Sequence, residues 1–272
     1  MPPPAVEFER VSLAFDDHVV LSDLSFTVPA GSMRILLGAS GAGKSLVLKL
    51  ILGLLKPDSG TILVNGHQVT AMSEQELLEM RADVGMVFQE NALFDSLTVA
   101  ENVGFRLYEA TKMSLEAVRA RVEEVLNFLG LVEFIDRMPS TLSGGQRRRV
   151  GIARAMASKP RLMLFDDSTT GLDPVISTSV NDEIVKLRDL QNVTSIVVSQ
   201  QIRDAHYIAT HRTEQRSDGG LAVVEDADGR DHRALFMVLH DGRMLFEGTA
   251  AELFASTDPY LERFLYRTLP PW

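Results

Sequence analysis

The segment Gly38-Ala39-Ser40-Gly41-Ala42-Gly43-Lys44-Ser45 constrains this chain more than any other. Its glycines let the backbone turn successive N–H groups towards one point, and the pair Lys44-Ser45 follows directly. The apolar run Met33-Arg34-Ile35-Leu36-Leu37 precedes it, and residues 45–54 carry helical apolar spacing after it. Strand, glycine-rich loop and helix in that order make a phosphate cradle, because a helix N-terminus offers unpaired N–H groups and a dipole suited to an anion. Lys44 is placed to reach the β- and γ-phosphates of a nucleotide, and Ser45 to supply a hydroxyl to Mg²⁺. The local order predicts an α/β fold around this loop.

The rest of the chain agrees with that expectation. Residues 6–13 and 19–28 alternate as strands, with Asp16-Asp17 in the turn between them. Pro57-Asp58-Ser59-Gly60 is a turn followed by the strand-like TILVNG, and residues 84–88 read as a buried strand. Ser114 to Leu129 has apolar residues at helical spacing, with Ser114 as N-cap and Gly130 as stop. A second helix is predicted from Ser143 towards Ser158, a strand at 161–165, a helix from Pro174 to Leu190 and a strand at 193–198. A hairpin is expected around Asp241-Gly242, then mostly helix from Thr249 to Tyr266. Alternating strands and helices imply a largely parallel sheet. Residues 89–160 read as a helical insertion between core segments 6–88 and 161–272, and the polar stretch 210–233 as a solvated surface excursion.

Two further motifs fix the class. Leu142-Ser143-Gly144-Gly145-Gln146 opens a predicted helix and so forms a second anion site. Arg161-Leu-Met-Leu-Phe-Asp166-Asp167 is an apolar strand that ends in acids. Phosphate loop, LSGGQ and acidic strand end, in this order, resemble the ATP-binding subunit of ABC transporters, over almost the whole chain. The resemblance implies one nucleotide-binding domain spanning 1–272: a P-loop NTPase (RecA-like) core, an antiparallel β subdomain and an inserted α-helical subdomain. It implies ATP and Mg²⁺ as cofactors. Residues 38–45 and 142–146 would bind the nucleotide, Phe15 would stack on adenine, and Ser45, Gln89 and Asp166 would hold Mg²⁺. Asp167, Gln89 and Gln200 would act in catalysis, and Gly171-Leu172-Asp173-Pro174 would cross a dimer interface. Each ATP would lie between Lys44 of one subunit and Ser143 to Gln146 of a second, in a homodimer or a heterodimer. The dimer would drive transmembrane permease subunits from the cytoplasmic face of an inner membrane.

The chain departs from the family pattern at two positions. The family usually has Glu after the acidic strand's Asp, whereas this chain has Asp167, one methylene shorter; a misplacement of about 1 Å can cost about 10²-fold in rate. The family also has a switch histidine where Gln200 stands, and glutamine carries neither proton nor charge. His206 lies further on and is not expected to replace it. A slow ATPase and a regulatory ATP-binding subunit with impaired hydrolysis both fit these changes.

The stretch Ala92-Leu93-Phe94-Asp95-Ser96-Leu97-Thr98-Val99 resembles the ATPases of Mla/MCE lipid-transport systems, as do Met138 to Gly145 and Asp258-Pro259-Tyr260 to Phe264. That likeness implies phospholipid transport and an MCE-domain partner. An ATPase of an amino-acid or other polar-solute importer shares every core motif and remains the alternative. Composition narrows the rest. Lys+Arg 27 against Asp+Glu 37 gives a net charge of −10, which argues against general nucleic-acid binding. With no cysteine, thiolate chemistry, disulfides and cysteine-held zinc are excluded. MPPPAVEFER lacks the basic and apolar parts of a secretory signal, and the apolar stretch Leu46 to Leu55 holds a lysine and is about half the length of a membrane span.

Overall fold

The alternation in VEFERVSLAF and HVVLSDLSFTV becomes β1 (Val6–Phe15) and β2 (His18–Val28), paired antiparallel in a computed structural model that describes residues 3–90, 92–217, 219–226 and 234–268. Asp16 takes φ 52° in the turn, a conformation that aspartate tolerates better than most residues. β4 (Ser59–Val64) pairs with the free edge of β1, and the two-residue β5 (His67–Gln68) with β4. The order β2-β1-β4-β5 makes an antiparallel sheet, and the stacked rings of Phe8 and Phe26 lie 4.5 Å apart in it.

A second sheet contains β3 (Met33–Leu37), β6 (Val84–Val87), β7 (Leu162–Asp166), β8 (Thr194–Val198), β11 (Ala234–His240) and β12 (Arg243–Gly248). Their order is β12-β11-β3-β8-β7-β6; every neighbouring pair is parallel except the hairpin of β11 with β12. β3 and β8 are buried along their whole length, as expected for parallel strands covered on both faces. Alternate residues serve different cores. Ile35, Leu37 and Val197 pack with helices α3 (Val99–Ala110), α4 (Leu115–Phe128), α5 (Gly144–Met156) and α6 (Pro174–Gln191). Leu36, Ile196 and Val198 pack with α1 (Lys44–Ile51) and the antiparallel sheet. Short α2 (Glu74–Met80), α7 (Ile202–Thr210), α8 (Ala250–Phe254) and α9 (Pro259–Thr268) complete the helices. Among the described residues no helix is long and apolar enough to cross a membrane. The architecture is the α/β P-loop core, with antiparallel sheet and helical layer, that the sequence predicts.

Several boundaries differ. α1 stops at Ile51, short of residue 54. The helix expected from Thr249 to Tyr266 is two helices, interrupted before Pro259. The excursion at 210–233 is not merely solvated loop: β9 (His211–Gln215) and β10 (Leu221–Glu225) form a hairpin, while residues 218 and 227–233 lie outside the described residues. The hairpin is held by α6. Asp189 Oδ2 accepts from the Thr213 N–H at 2.7 Å, and Arg188, 1% exposed, donates to the His211 carbonyl at 2.6 Å.

Candidate nucleotide site

Five of the six core strands run parallel, and ligands in open α/β sheets sit beyond the carboxyl ends of such strands. Of the predicted site residues, the 38–45 loop, Asp166, Asp167 and Gln200 meet at that edge. Residues 38–43 leave β3 and feed α1, whose N-cap is Gly43 with no side-chain cap. That leaves backbone N–H groups at the helix start without a side-chain acceptor. Gly41 and Gly43 adopt φ 80° and 96°, where a Cβ is strained. A Cβ on Gly38 would come within 2.6 Å of the Leu239 carbonyl oxygen. Lys44 is buried, and its Nζ donates to the carbonyls of Gly38 and Ala39, both at 2.9 Å. Burial lowers its pKa below the ordinary lysine value, and the charges of Asp167 and Asp166 partly offset this.

The acids meet the loop from β7. Asp166 ends that strand, and its Oδ1 accepts from the Ser45 hydroxyl at 2.8 Å. Burial raises its pKa; the Ser45 hydrogen bond opposes this and the neighbouring charge of Asp167 adds to it. Asp167 is 2% exposed and has φ 50°. Its N–H donates to the Val198 carbonyl at 3.0 Å, which pins the turn to the end of β8. Its Oδ2 accepts from Gln200 Nε2 at 2.7 Å, and its Oδ1 from the Gln200 N–H at 3.4 Å. The two positions that depart from the family pattern are therefore in direct contact. His206 lies on α7 with its ring edge-on to Phe254 at 5.2 Å, and no hydrogen bond joins it to Asp167.

The other predicted residues make no hydrogen bond to this centre. Gln89 follows β6 and is exposed. Phe15 ends β1 with 46% exposure, and the neighbouring strand brings Val20 and Leu21 to within 3.3 Å of where a Cβ on Gly43 would sit. The Leu142–Gln146 segment closes on itself: Ser143 Oγ accepts from the Gln146 N–H at 3.2 Å, and Gln146 Oε1 from the Ser143 N–H at 2.8 Å. This reciprocal capping box starts α5. Asp173 caps α6 in one direction only, its side chain accepting from Val175 and Ile176 N–H at 3.0 and 3.1 Å. Among the described residues, no hydrogen bond links 142–146 to 38–45.

Gly145 sits where α5 meets α6, and a Cβ there would lie 2.5 Å from Ile176 Cγ2. Gly145→Ala is expected to destabilise the protein by ~1–3 kcal/mol through overpacking. Gly144→Ala, with only an ordinary 3.5 Å contact to Leu172, is expected to leave the thermal midpoint unchanged. Thermal unfolding of the two variants checks this contrast.

A sequence profile of the family described as "ABC transporter" matches residues 21–170, more than half of the chain. The chain belongs to the ABC transporter family. This ABC ATPase domain hydrolyses ATP with Mg²⁺. The residues present fit both groups: the glycines leave room for phosphate against the backbone, Lys44 is a buried cation, and Ser45 and Asp166 offer the hard oxygen ligands Mg²⁺ takes. The ABC domain is 36% identical over 267 residues to the protein TRIGALACTOSYLDIACYLGLYCEROL 3, chloroplastic, of Arabidopsis thaliana, covering 95% of this chain and 72% of that one. It is 39% identical to the methionine import ATP-binding protein MetN of Corynebacterium glutamicum, over 75% of this chain but only 58% of that protein's length. A dimeric post-hydrolysis structure of the ATP-binding cassette MJ0796, bound to ADP and Pi, superposes with TM-score 0.72 at 28% identity, covering 90% of this chain and 98% of that one.

Two residues of the ABC domain escaped the sequence reading. Asn102, fully buried, accepts from the Phe94 N–H at 2.8 Å and donates to the carbonyls of Phe94, Leu97 and Thr98, each at 3.0 Å. It sets the shape of the loop after Gln89. Arg148 is buried and bonds the carbonyls of Phe88 and Gln89. The signal for Arg148 was present: it lies in the stripe Gly145, Arg148, Ile152, Ala155, spaced as one helix face and otherwise apolar.

Proposed function

We propose that this chain is the ATPase subunit of a transport complex in which two such domains drive transmembrane permease subunits, and that the cargo is phospholipid. The contact that carries the reading is Asp167 with Gln200, 2.7 Å apart at the strand edge that also holds Lys44 and the Ser45–Asp166 pair. In this reading Lys44 and the amides of residues 38–45 hold the phosphates, and Phe15 stacks on the base. Ser45, Asp166 and Gln89 hold Mg²⁺. Asp167 orients the attacking water, and Gln200 fixes the Asp167 carboxylate. Leu142 to Gln146 of a second subunit close each site, consistent with their lack of hydrogen bonds to the loop of their own chain. Residues 89–160 form the arm that meets the permease, on the cytoplasmic face of the inner membrane.

The lipid reading rests on the segment from Ala92 to Val99. Asn102 fixes it, and the Phe94 ring lies 4.6 Å from that of Phe105, tilted by 43°, with the Arg154 guanidinium 4.6 Å from the Phe94 centroid. Phe88, Phe94 and Phe105 remain exposed there as an apolar docking face. The Arabidopsis relative, whose name contains that of a galactolipid, supports a lipid cargo in the broader sense. The methionine-import relative favours a second reading, a polar-solute importer. Purification of the tagged subunit from native membranes separates the two. A permease with an MCE-domain protein is expected, with ATP turnover raised by phospholipid; an amino-acid-binding partner instead would overturn the lipid assignment.

A further inference from the structure

After Gly144-Gly145-Gln146, α5 carries three consecutive arginines that diverge. Arg147 donates to the Leu142 carbonyl at 2.5 Å and Arg149 to the Leu129 carbonyl at 3.2 Å, both within the helical layer. Arg148 turns towards the core sheet and is 4% exposed. Its Nη1 donates to the Phe88 carbonyl at 2.9 Å and to the Gln89 carbonyl, and its Nη2 reaches the Thr170 carbonyl at 3.5 Å. Thr170 closes the turn that Asp167 opens, its N–H donating to the Asp167 carbonyl at 3.2 Å. One guanidinium thus spans the loop after β6, the turn after β7 and the helix that starts at Ser143.

A buried cation is a costly way to pack a helix. The Arg148 Nε is also buried without a hydrogen-bond partner, so the site is not organised around satisfying the arginine. The nearby Asp167 charge offsets part of the burial cost, which otherwise lowers the guanidinium pKa. The rigid fork of arginine suits three carbonyls set at different angles, which lysine cannot bridge together.

We infer that Arg148 is a positioning residue that locks the Phe88–Gln89 backbone to the Asp167–Thr170 turn, so that Gln89 and Asp167 keep one spacing and follow α5 together. It touches neither nucleotide nor metal in the reading above, on which its consequence for turnover rests. Movement of α5, whose first turn faces a second subunit in that reading, is passed to both loops at once.

Hydrogen exchange and ATPase kinetics on Arg148→Met and Arg148→Lys test this. In Arg148→Met, amide exchange is expected to speed up at residues 88–90 and 168–171, while β7, the rest of α5 and residues 38–45 keep their protection. Turnover is expected to fall by about 10- to 100-fold through misplacement, with KM for ATP changed less than about threefold. Arg148→Lys falls between. In a cycle with Gln89→Ala the two losses do not multiply, because Arg148 acts partly through Gln89. Unchanged exchange, loosening spread over the whole of α5, or losses that multiply would each overturn the inference. If Arg148→Met does not fold, Arg148→Lys and its cycle with Gln89→Ala decide. Absence of ATP turnover in the unmodified protein removes the ATPase reading alone, since local exchange still decides the link.

Discussion

Asp167→Asn is expected to lower ATP turnover by about 10²- to 10⁴-fold, the range a positioned general base supplies, while ATP binding survives. Asparagine has nearly the shape of aspartate, and its side-chain oxygen still accepts from Gln200 Nε2, now 2.7 Å from the carboxylate. The turn is held by backbone, through the Asp167 N–H on Val198, so the loop geometry persists. What disappears is the charge that, in the proposed reading, polarises water. Turnover assays beside fluorescent-ATP titration check the split; a loss under fivefold would remove Asp167 from the chemistry. The opposite change is expected to raise turnover. Gln200 holds the short carboxylate back at β8, whereas Asp167→Glu with Gln200→His extends the carboxylate by one methylene and supplies a group that can carry a proton. A double variant no faster than the parent would argue that Asp167 and Gln200 do not limit hydrolysis.

Much of this centre was legible because its chemistry is local in sequence. Gly38 to Ser45 must follow a strand and precede a helix, and it does so between β3 and α1. The Asp167–Gln200 contact was not legible as a contact, since it depends on β7 and β8 being neighbours in the sheet. α2 and α3 were missed although their N-termini carry the capping-box pattern. Ser73 with Glu76 and Thr98 with Glu101 show the same Ser/Thr-x-x-Glu/Gln spacing as Ser143 with Gln146. The β9–β10 hairpin had no local signal of that kind. β9 (HRTEQ) is polar, the apolar β10 (LAVVE) is only five residues long, and the anchors, Arg188 and Asp189, come from the far end of α6. Arg148 went unread for a related reason: three adjacent arginines look like a solvated face until the helix stripe is counted.

Lys44→Met should separate binding from folding. A hydrogen bond to a charged group contributes about 1.5–3 kcal/mol. Its loss from the phosphates therefore weakens ATP binding by about 10- to 100-fold, at tenfold for each 1.4 kcal/mol. The effect on stability has two opposing parts. The ammonium satisfies the carbonyls of Gly38 and Ala39, so its removal leaves both without that donor. Yet burial disfavours the charge, as the lowered lysine pKa shows, and methionine relieves that cost. A lysine whose folded pKa is lowered penalises the fold at every pH where it is charged, and the penalty fades only as pH rises through the folded value towards the unfolded one. Below the folded value the relief is therefore available in full, and the thermal midpoint is expected to stay within about 3 °C of the parent, less than the shift a net 1 kcal/mol produces at the upper end for a domain of this size. Fluorescent-ATP titration and calorimetry read the two quantities separately. A large fall in midpoint with affinity preserved would make Lys44 a brace for the loop and not a ligand for phosphate. Loss of affinity at constant midpoint fits an ammonium that the loop carbonyls hold ready in the buried site until phosphate oxygens replace them.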